Sequence, residues 1–224
     1  MIDMNDVVQT FSSSDPSAIS TSVKLILLLT VLSLAPGILI LMTSFTRIII
    51  VLSFVRTSLA TQQMPPNQVL IGIALFLTFF VMAPTFSDVY DEALNPLFDE
   101  EITLDEAYDN ASVPIKDFMS QHTREKDIAL FLNYSDVDRP ETVQDIPLTT
   151  LIPAFAISEL KTAFQMGFMI FIPFLIIDMA VASILMSMGM MMLPPVMISL
   201  PFKILLFILV DGWYLITYSL LQSF

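Results

Sequence analysis

The chain lacks several of the residues on which catalysis and metal binding most often depend. It has no cysteine in 224 residues, which excludes disulfides, iron–sulfur clusters and cysteine-ligated zinc. Its single histidine, His122, stands in no His-Glu-x-x-His motif, and the sequence has neither a Gly-x-Ser-x-Gly elbow nor a Walker loop. With only 5 glycines and 14 prolines, helices interrupted at defined points are favoured over sheets. The sequence therefore predicts an all-helical protein that is not an enzyme and holds no cofactor or metal.

Charged residues are also scarce, and they are unevenly placed. They make up 14% of the chain, against about 25% in a soluble domain, while 55% of the residues are hydrophobic. The 9 bases oppose 22 acids, for a net charge of −13. Sixteen of the acids and only four of the bases fall between Asp88 and Asp145. Nucleic-acid binding is excluded because phosphate contacts need clustered Lys and Arg, and the acidic run is more typical of a solvated face than of a cation site.

Four long apolar runs flank this acidic segment. Each is near or above the roughly 18–20 residues that a helix needs to cross hydrocarbon, which predicts a membrane-associated protein. The runs are Leu25–Met42, Val69–Phe86, Thr162–Phe202 and Ile204–Phe224. Pro36 should kink or interrupt the first helix, and breaks of the third and fourth runs are predicted at Pro173, Pro194-Pro195 and Pro201, which gives broken helical hairpins.

Composition divides the chain into four parts. Residues 1–23 form an N-terminal segment, 24–86 hold two apolar helices, 87–150 form an acidic helical domain, and 151–224 hold two more apolar helices. The N-terminal segment has acids and no base, so it does not read as a signal peptide, which has a positive n-region. Basic residues favour the cytoplasmic side of a membrane. This rule places Arg47, Arg56 and Lys203 at the cytoplasm and the acidic domain on the far side.

Apolar residues recur at helical spacing inside the acidic domain. Their pattern predicts two short amphipathic helices or one kinked helix. Ser112 is the predicted N-cap of the first helix, with Pro114 in its first turn. A further helix should begin near Thr149-Thr150. The apolar stripe consists of Ile115, Phe118, Met119, His122, Ile128, Phe131 and Leu132.

Two carboxylates, Asp178 and Asp211, interrupt the last two apolar runs. An ionised carboxylate in lipid costs at least a few kcal/mol, so we expect both to be buried against protein. Two close carboxylates can share a proton, but the surrounding residues do not match those of an intramembrane aspartyl protease. An ion- or proton-coupled transporter subunit that uses this pair is the alternative function, and structural use is favoured over it.

A methionine-rich run follows Asp178. Five methionines occupy seven positions, and Pro194-Pro195 ends the run; the five are Met186, Met188, Met190, Met191 and Met192. Methionine is unbranched and adaptable, and it suits a seal that must conform to different contents. Gly189 and the proline pair favour a loop or helix break there. Ordinary filling of a hydrophobic core is the alternative interpretation.

Four motifs in a fixed order carry a resemblance to a known family. They are Pro65-Pro66-Asn67-Gln68-Val69-Leu70-Ile71-Gly72, Glu159-Leu160-Lys161-Thr162-Ala163-Phe164, the run Met186–Pro195, and Val210-Asp211-Gly212-Trp213. Together they resemble the FliP family of the flagellar type III export gate, which has relatives in virulence injectisomes. The resemblance covers Leu25 to the C-terminus, and the phenylalanine-rich flanks and acidic insert favour the flagellar branch.

The resemblance implies a core channel subunit that passes unfolded flagellar proteins across the bacterial inner membrane at the flagellar basal body. Family members assemble as five copies with FliQ and FliR, and work with FlhB and FlhA. The resemblance also implies a closed helical spiral, held largely above the bilayer plane, in which neighbouring subunits and the basal-body ring bury the apolar helices.

Several residues then have expected roles in an oligomer. The methionine run is expected to form a gasket in the channel. Glu159 and Lys203 are isolated opposite charges beside uncharged runs, and we predict that they pair across subunits, as the family's spiral arrangement allows. Phe118 and Phe131, on the apolar stripe of the acidic domain, are expected to help the subunits pack.

Overall fold

The computed structural model describes residues 29–30, 33–34, 36–61, 63–135, 140, 142–190 and 192–224. The regular structure of these residues is helical, which confirms the predicted fold class. The chain divides into two units, Met1–Ile40 and Leu41–Phe224, and the packing described below belongs to the second unit. The proposed N-terminal segment, 1–23, lies outside the described residues.

In the described residues the helices follow one another with short connections. They are α1 (Pro36–Met42), α2 (Phe45–Ser58), α3 (Asn67–Val89), α4 (Asn95–Phe98), α5 (Leu104–Gln121), α6 (Glu125–Leu132), α7 (Leu148–Ser187), α8 (Pro195–Leu209) and α9 (Gly212–Gln222). A π-helical turn, Tyr90–Leu94, joins α3 to α4, and a 3₁₀ turn, Val143–Asp145, precedes α7.

The core of the second unit forms around α2, which packs against both α3 and α7. One face of α2 buries Ile48, Val51, Leu52 and Val55. The α7 backbone comes close to α2 at Gly167, where an added Cβ would lie 2.4 Å from the Phe54 ring. A second cluster fixes the acidic domain to α7, and its buried members are Met119, Ile146, Leu151 and Phe155.

Proline does not end every helix in which it was expected to do so. The 40-residue helix α7 continues through Pro153 and Pro173, and α8 continues through Pro201. The prediction of a break at Pro173 and at Pro201 is therefore wrong. An interior proline removes one backbone hydrogen bond and bends a helix, but a long apolar helix tolerates this where neighbouring groups satisfy the freed carbonyl.

The predicted break at Pro194-Pro195 is confirmed, and a break that was not predicted occurs at Asp211. The turn between α7 and α8 ends at Pro194, and Pro195 occupies the first turn of α8, where its missing N–H costs nothing. Asp211 has φ 49° and separates α8 from α9. Lys203 lies inside α8 and not in a connection between helices, so the position that the charge rule assumed for it is wrong.

The acidic domain contains two amphipathic helices, α5 and α6, which is one of the two arrangements that the sequence predicted. The first begins nine residues earlier than expected, because its N-cap is Thr103, which forms a capping box with Glu106. The Thr103 hydroxyl accepts a hydrogen bond from the Glu106 N–H at 3.3 Å, and the Thr103 N–H donates to the Glu106 carboxylate at 2.8 Å. Ser112 and Pro114 therefore lie inside α5, and the predicted N-cap is wrong. Helix α7 begins at Leu148, just ahead of the predicted start.

Two helical stretches are long and apolar enough to cross a membrane, Asn67–Phe98 and Leu148–Ser187. Two further pairs of helices pass the same test of length and composition if each pair counts as one interrupted span. These are α1 with α2, and α8 with α9, the latter pair bent by 62°. Hydropathy therefore indicates two to four spans in the described residues.

Candidate functional site

The methionine run lies at the tip of the α7–α8 hairpin, and a Schellman motif shapes its first half. The Met190 N–H donates to the Leu185 carbonyl at 3.0 Å, and the Gly189 N–H donates to the Met186 carbonyl at 3.1 Å. Gly189 has φ +75°, a conformation that costs other residues about 1–2 kcal/mol. The glycine therefore ends α7 abruptly and turns the chain toward α8.

Most of the methionine side chains in this loop face away from the chain's own core. Met186 is 61% exposed, Met188 64% and Met192 98%, while Met190 is half-buried. Met191 lies outside the described residues. The loop is thus an adaptable apolar tip with few contacts in its own chain. Filling of this chain's core does not account for its exposed members.

Lys203, in the middle of α8, is held inside the chain. Its ammonium group donates to the Asp178 carboxylate at 2.6 Å and to the Ser58 carbonyl at 3.1 Å, and it is 2% exposed. The Ser199 hydroxyl donates to the other Asp178 oxygen at 2.5 Å. The network ties α7 and α8 to the C-terminal end of α2, where free carbonyls favour a cation.

Glu159 is held by a second network, at the N-terminal end of α2. The Arg47 guanidinium binds its carboxylate through two nitrogens, one of them Nε at 2.8 Å. Both side chains are almost completely buried. A third guanidinium nitrogen donates to the Ser223 carbonyl at 2.6 Å and hydroxyl at 3.0 Å, and the Phe224 ring lies 3.8 Å from the guanidinium carbon. The end of α9 is therefore fixed to α2 and α7.

In the single chain, Glu159 thus binds Arg47 and Lys203 binds Asp178. No ion pair joins Glu159 to Lys203 within the chain. A single chain contains no subunit interface, so the pairing of Glu159 with Lys203 across subunits stays a prediction.

Asp211 does not join either network. It is exposed at the break between α8 and α9, so its expected burial does not occur within the chain. It follows Ser199, the partner of Asp178, by twelve residues, which corresponds to roughly 18 Å along a helix. The structure does not bring the two carboxylates together, and Asp178 is already neutralised by Lys203. Neither a shared-proton dyad nor a relay between the pair has support from this arrangement.

The two phenylalanines expected to pack between subunits are both half-buried. Phe118 contacts its own chain, with ring centroids 4.8 Å from His122, 6.0 Å from Phe155 and 6.4 Å from Phe224. Burial, followed by the nearby Arg47 charge, lowers the pKa of His122 to about 4, so this ring is neutral at pH 7. The role of Phe118 and Phe131 between subunits stays a prediction.

The sequence reasoning missed Arg47 as an interior residue, because the charge rule treated it as part of a cytoplasmic connection. The signal was present, since Arg47 directly precedes the eight uncharged residues Ile48–Val55. An arginine at that position on a buried helix needs an acid nearby. Glu159 was the isolated acid available, but which base it would bind could not be read from the sequence.

Comparison with known proteins gives consistent matches. A model of the FliP family matches residues 28–220. The chain is 77% identical to the flagellar biosynthetic protein FliP of Bacillus subtilis, over 99% of this chain and 100% of that protein. It is 56% identical to the protein of that name from Caulobacter vibrioides, over 90% of this chain and 76% of the relative. The corresponding protein of Pectobacterium carotovorum is 54% identical, over 91% and 79%.

Proposed function

The chain belongs to the FliP family, and on that premise we propose that it is the core channel subunit of the flagellar protein export gate. It is a component of the flagellar export apparatus, a transport assembly at the membrane. The proposed place is the bacterial inner membrane at the basal body. The proposed partners are further copies of the chain, five by resemblance, together with FliQ, FliR, FlhB, FlhA and unfolded export substrates.

The exposed methionine loop carries this proposal. A secretion channel must pass extended polypeptide of any sequence and must hold back ions between passages. A polar ring would conduct water, and a rigid aliphatic ring would fit one shape only. Flexible thioether side chains can close on one another and then flatten around a passing chain. Met186, Met188 and Met192 are exposed, with Met190 half-buried beside them, on a tip whose backbone is fixed at both ends.

Other copies of the chain are proposed to cover the apolar helices and to provide the partner charges. In this assembly Glu159 of one copy pairs with Lys203 of the next, and Phe118 and Phe131 contribute to the packing of the acidic domains. Such pairing needs the two side chains to share or exchange the partners that they bind within one chain. A closed ring of several copies with heterologous contacts buries such surfaces without leaving one exposed.

A cross-linking experiment tests the channel role. A photoreactive amino acid at Met192 should capture a stalled export substrate in assembled gates, because this side chain is 98% exposed at the tip. The same group at Tyr134, an exposed position in the acidic domain, serves as the matched control. Capture at Met192 well above that at Tyr134 supports the proposal. Equal or absent capture at Met192, in gates that carry a stalled substrate, contradicts it.

A further inference from the structure

A groove of about 580 Å³ runs across the face formed by α3, the π-helical turn and α5. Its lining mixes apolar and polar side chains from these elements and from the end of α9, and the apolar ones include Phe80, Val113 and Pro114. Three acids also line it: Asp88, Glu92 and Asp117. No Lys or Arg lines it, and His122, which also borders the groove, is neutral at pH 7. The groove therefore combines apolar contact surface with a net negative charge.

A basic patch lies on other helices, α6 and α7. The Arg124 N–H donates to the Ser158 hydroxyl at 3.1 Å, one turn before Lys161, so the start of α6, with Arg124 and Lys126, lies beside Lys161 of α7. Arg124 is paired with Asp127 at 2.6 Å. Among the described residues neither Lys126 nor Lys161 forms an ion pair, and both are exposed. Two acids, Glu125 and Asp127, adjoin these bases, and Asp127 is paired with Arg124, so Lys126 and Lys161 are the exposed cations that an acidic surface of another copy would attract.

The groove and the basic patch each border an uncharged helical stretch. Asp88 is the first charge after the uncharged stretch of α3, and Lys161 is the last charge before the uncharged stretch 162–177 of α7. When these two stretches lie in the same apolar layer of the assembly, the groove and the patch both lie at the same edge of that layer. Copies placed next to each other would then bring them together without a shift along the helices.

We propose that the Lys126–Lys161 patch of one copy docks in the acidic groove of the next copy. The two surfaces are different, so the contact is heterologous and repeats from copy to copy, as a ring or spiral requires. The inference rests on the proposed function only in needing several copies. It adds a charged contact to the hydrophobic and ionic contacts proposed above, and it gives the assembly its direction.

Cross-linking of engineered cysteines tests the contact, because the natural chain has none. A chain carrying both Glu92→Cys and Lys161→Cys should form a ladder of cross-linked copies when a short bifunctional thiol reagent is added to the purified gate. The control pairs Lys161→Cys with Glu101→Cys, an exposed acid that does not line the groove. This control chain should give at least about tenfold less cross-linked product than the test pair. An equal ladder from the control, or none from the test pair in assembled gates, overturns the proposal.

Charge reversal gives an independent readout. The variant Lys126→Glu/Lys161→Glu, and separately Asp88→Lys/Glu92→Lys, should each lower the assembled fraction more than about tenfold, because like charges would then face each other across the contact. The chain with all four changes should recover most of it, and Glu101→Lys should assemble normally. Normal assembly of both reversed chains overturns this contact but leaves the channel subunit intact. A natural chain that stays monomeric with its partners present overturns the proposed function as well.

Discussion

The two halves of α7 differ in how far their own chain covers them. The first half is built into the core, and its buried residues are Thr150, Leu151, Ala154, Phe155, Ser158, Glu159, Ala163 and Gly167. In the second half only Phe174 and Leu185 are buried, although it contains no polar face apart from Asp178. Only 11% of the most apolar stretch of α7 is buried within the chain. The first half is therefore stabilised by the chain itself, whereas the second presents a surface that lipid or other subunits must cover.

The largest effect should come from removing the charge that holds the first half in place. Arg47→Ala leaves Glu159 buried without a partner, which should lower the free energy of unfolding by about 3–5 kcal/mol. Thermal unfolding of the detergent-purified protein measures this loss. The apolar double variant Arg47→Met/Glu159→Leu should recover most of it, and Arg56→Ala, at a half-exposed residue, should cost far less. Equal losses for Arg47→Ala and Arg56→Ala would contradict the comparison.

The close approach of α7 to α2 gives the next largest effect. In Gly167→Ala the new Cβ meets the Phe54 ring at 2.4 Å, which should cost about 1–3 kcal/mol of unfolding free energy. Gly72, in α3, is the matched control, because nothing lies within 4 Å of a Cβ added there. Gly72→Ala should be neutral or stabilise the protein by up to about 1 kcal/mol. A stabilising Gly167→Ala would show that the two helices are not packed this closely.

A smaller effect should separate the two candidate starts of α5. Thr103→Ala removes the capping box and should cost about 1 kcal/mol. Ser112→Ala should change the unfolding free energy by less than about 0.5 kcal/mol, since Ser112 lies inside the helix and its hydroxyl donates only to the Asp109 carbonyl. Chemical denaturation of both variants measures the difference. A larger loss of unfolding free energy for Ser112→Ala than for Thr103→Ala would show that Ser112 is the N-cap of the helix.

The last effect vanishes at neutral pH, and it concerns the ring cluster at the end of α9. The pKa of His122 is lowered to about 4 in the folded protein, from an ordinary value of 6.5. Between these values the unfolded chain binds a proton that the folded chain does not, so stability falls as the pH is lowered from about 6.5 to 4. His122→Gln should flatten this part of the profile when it is compared with the natural chain. An identical slope in both would show that His122 titrates normally.

The sequence predicted the helical class, the membrane-type runs, the turn at Pro194-Pro195 and the two amphipathic helices, because all of these depend on local pattern. The predicted breaks at Pro173 and Pro201 do not occur, because whether an interior proline ends a helix depends on the neighbouring packing. The capping box at Thr103 was in the sequence and was overlooked. The partners of Glu159 and Lys203 could not be predicted, since they come from residues 112 and 25 positions away, respectively.

The triple variant Met190→Ala/Met191→Ala/Met192→Ala tests most directly the claim that the uncovered half of α7 leads to a channel seal. Assembly and ion conductance are measured on the same strain, with Met197→Ala, an exposed methionine of α8, as the control. We predict that the triple variant assembles as the natural chain does but leaks small ions and slows growth, while the control stays tight. An assembled triple variant that holds back ions as well as the natural chain would contradict the account.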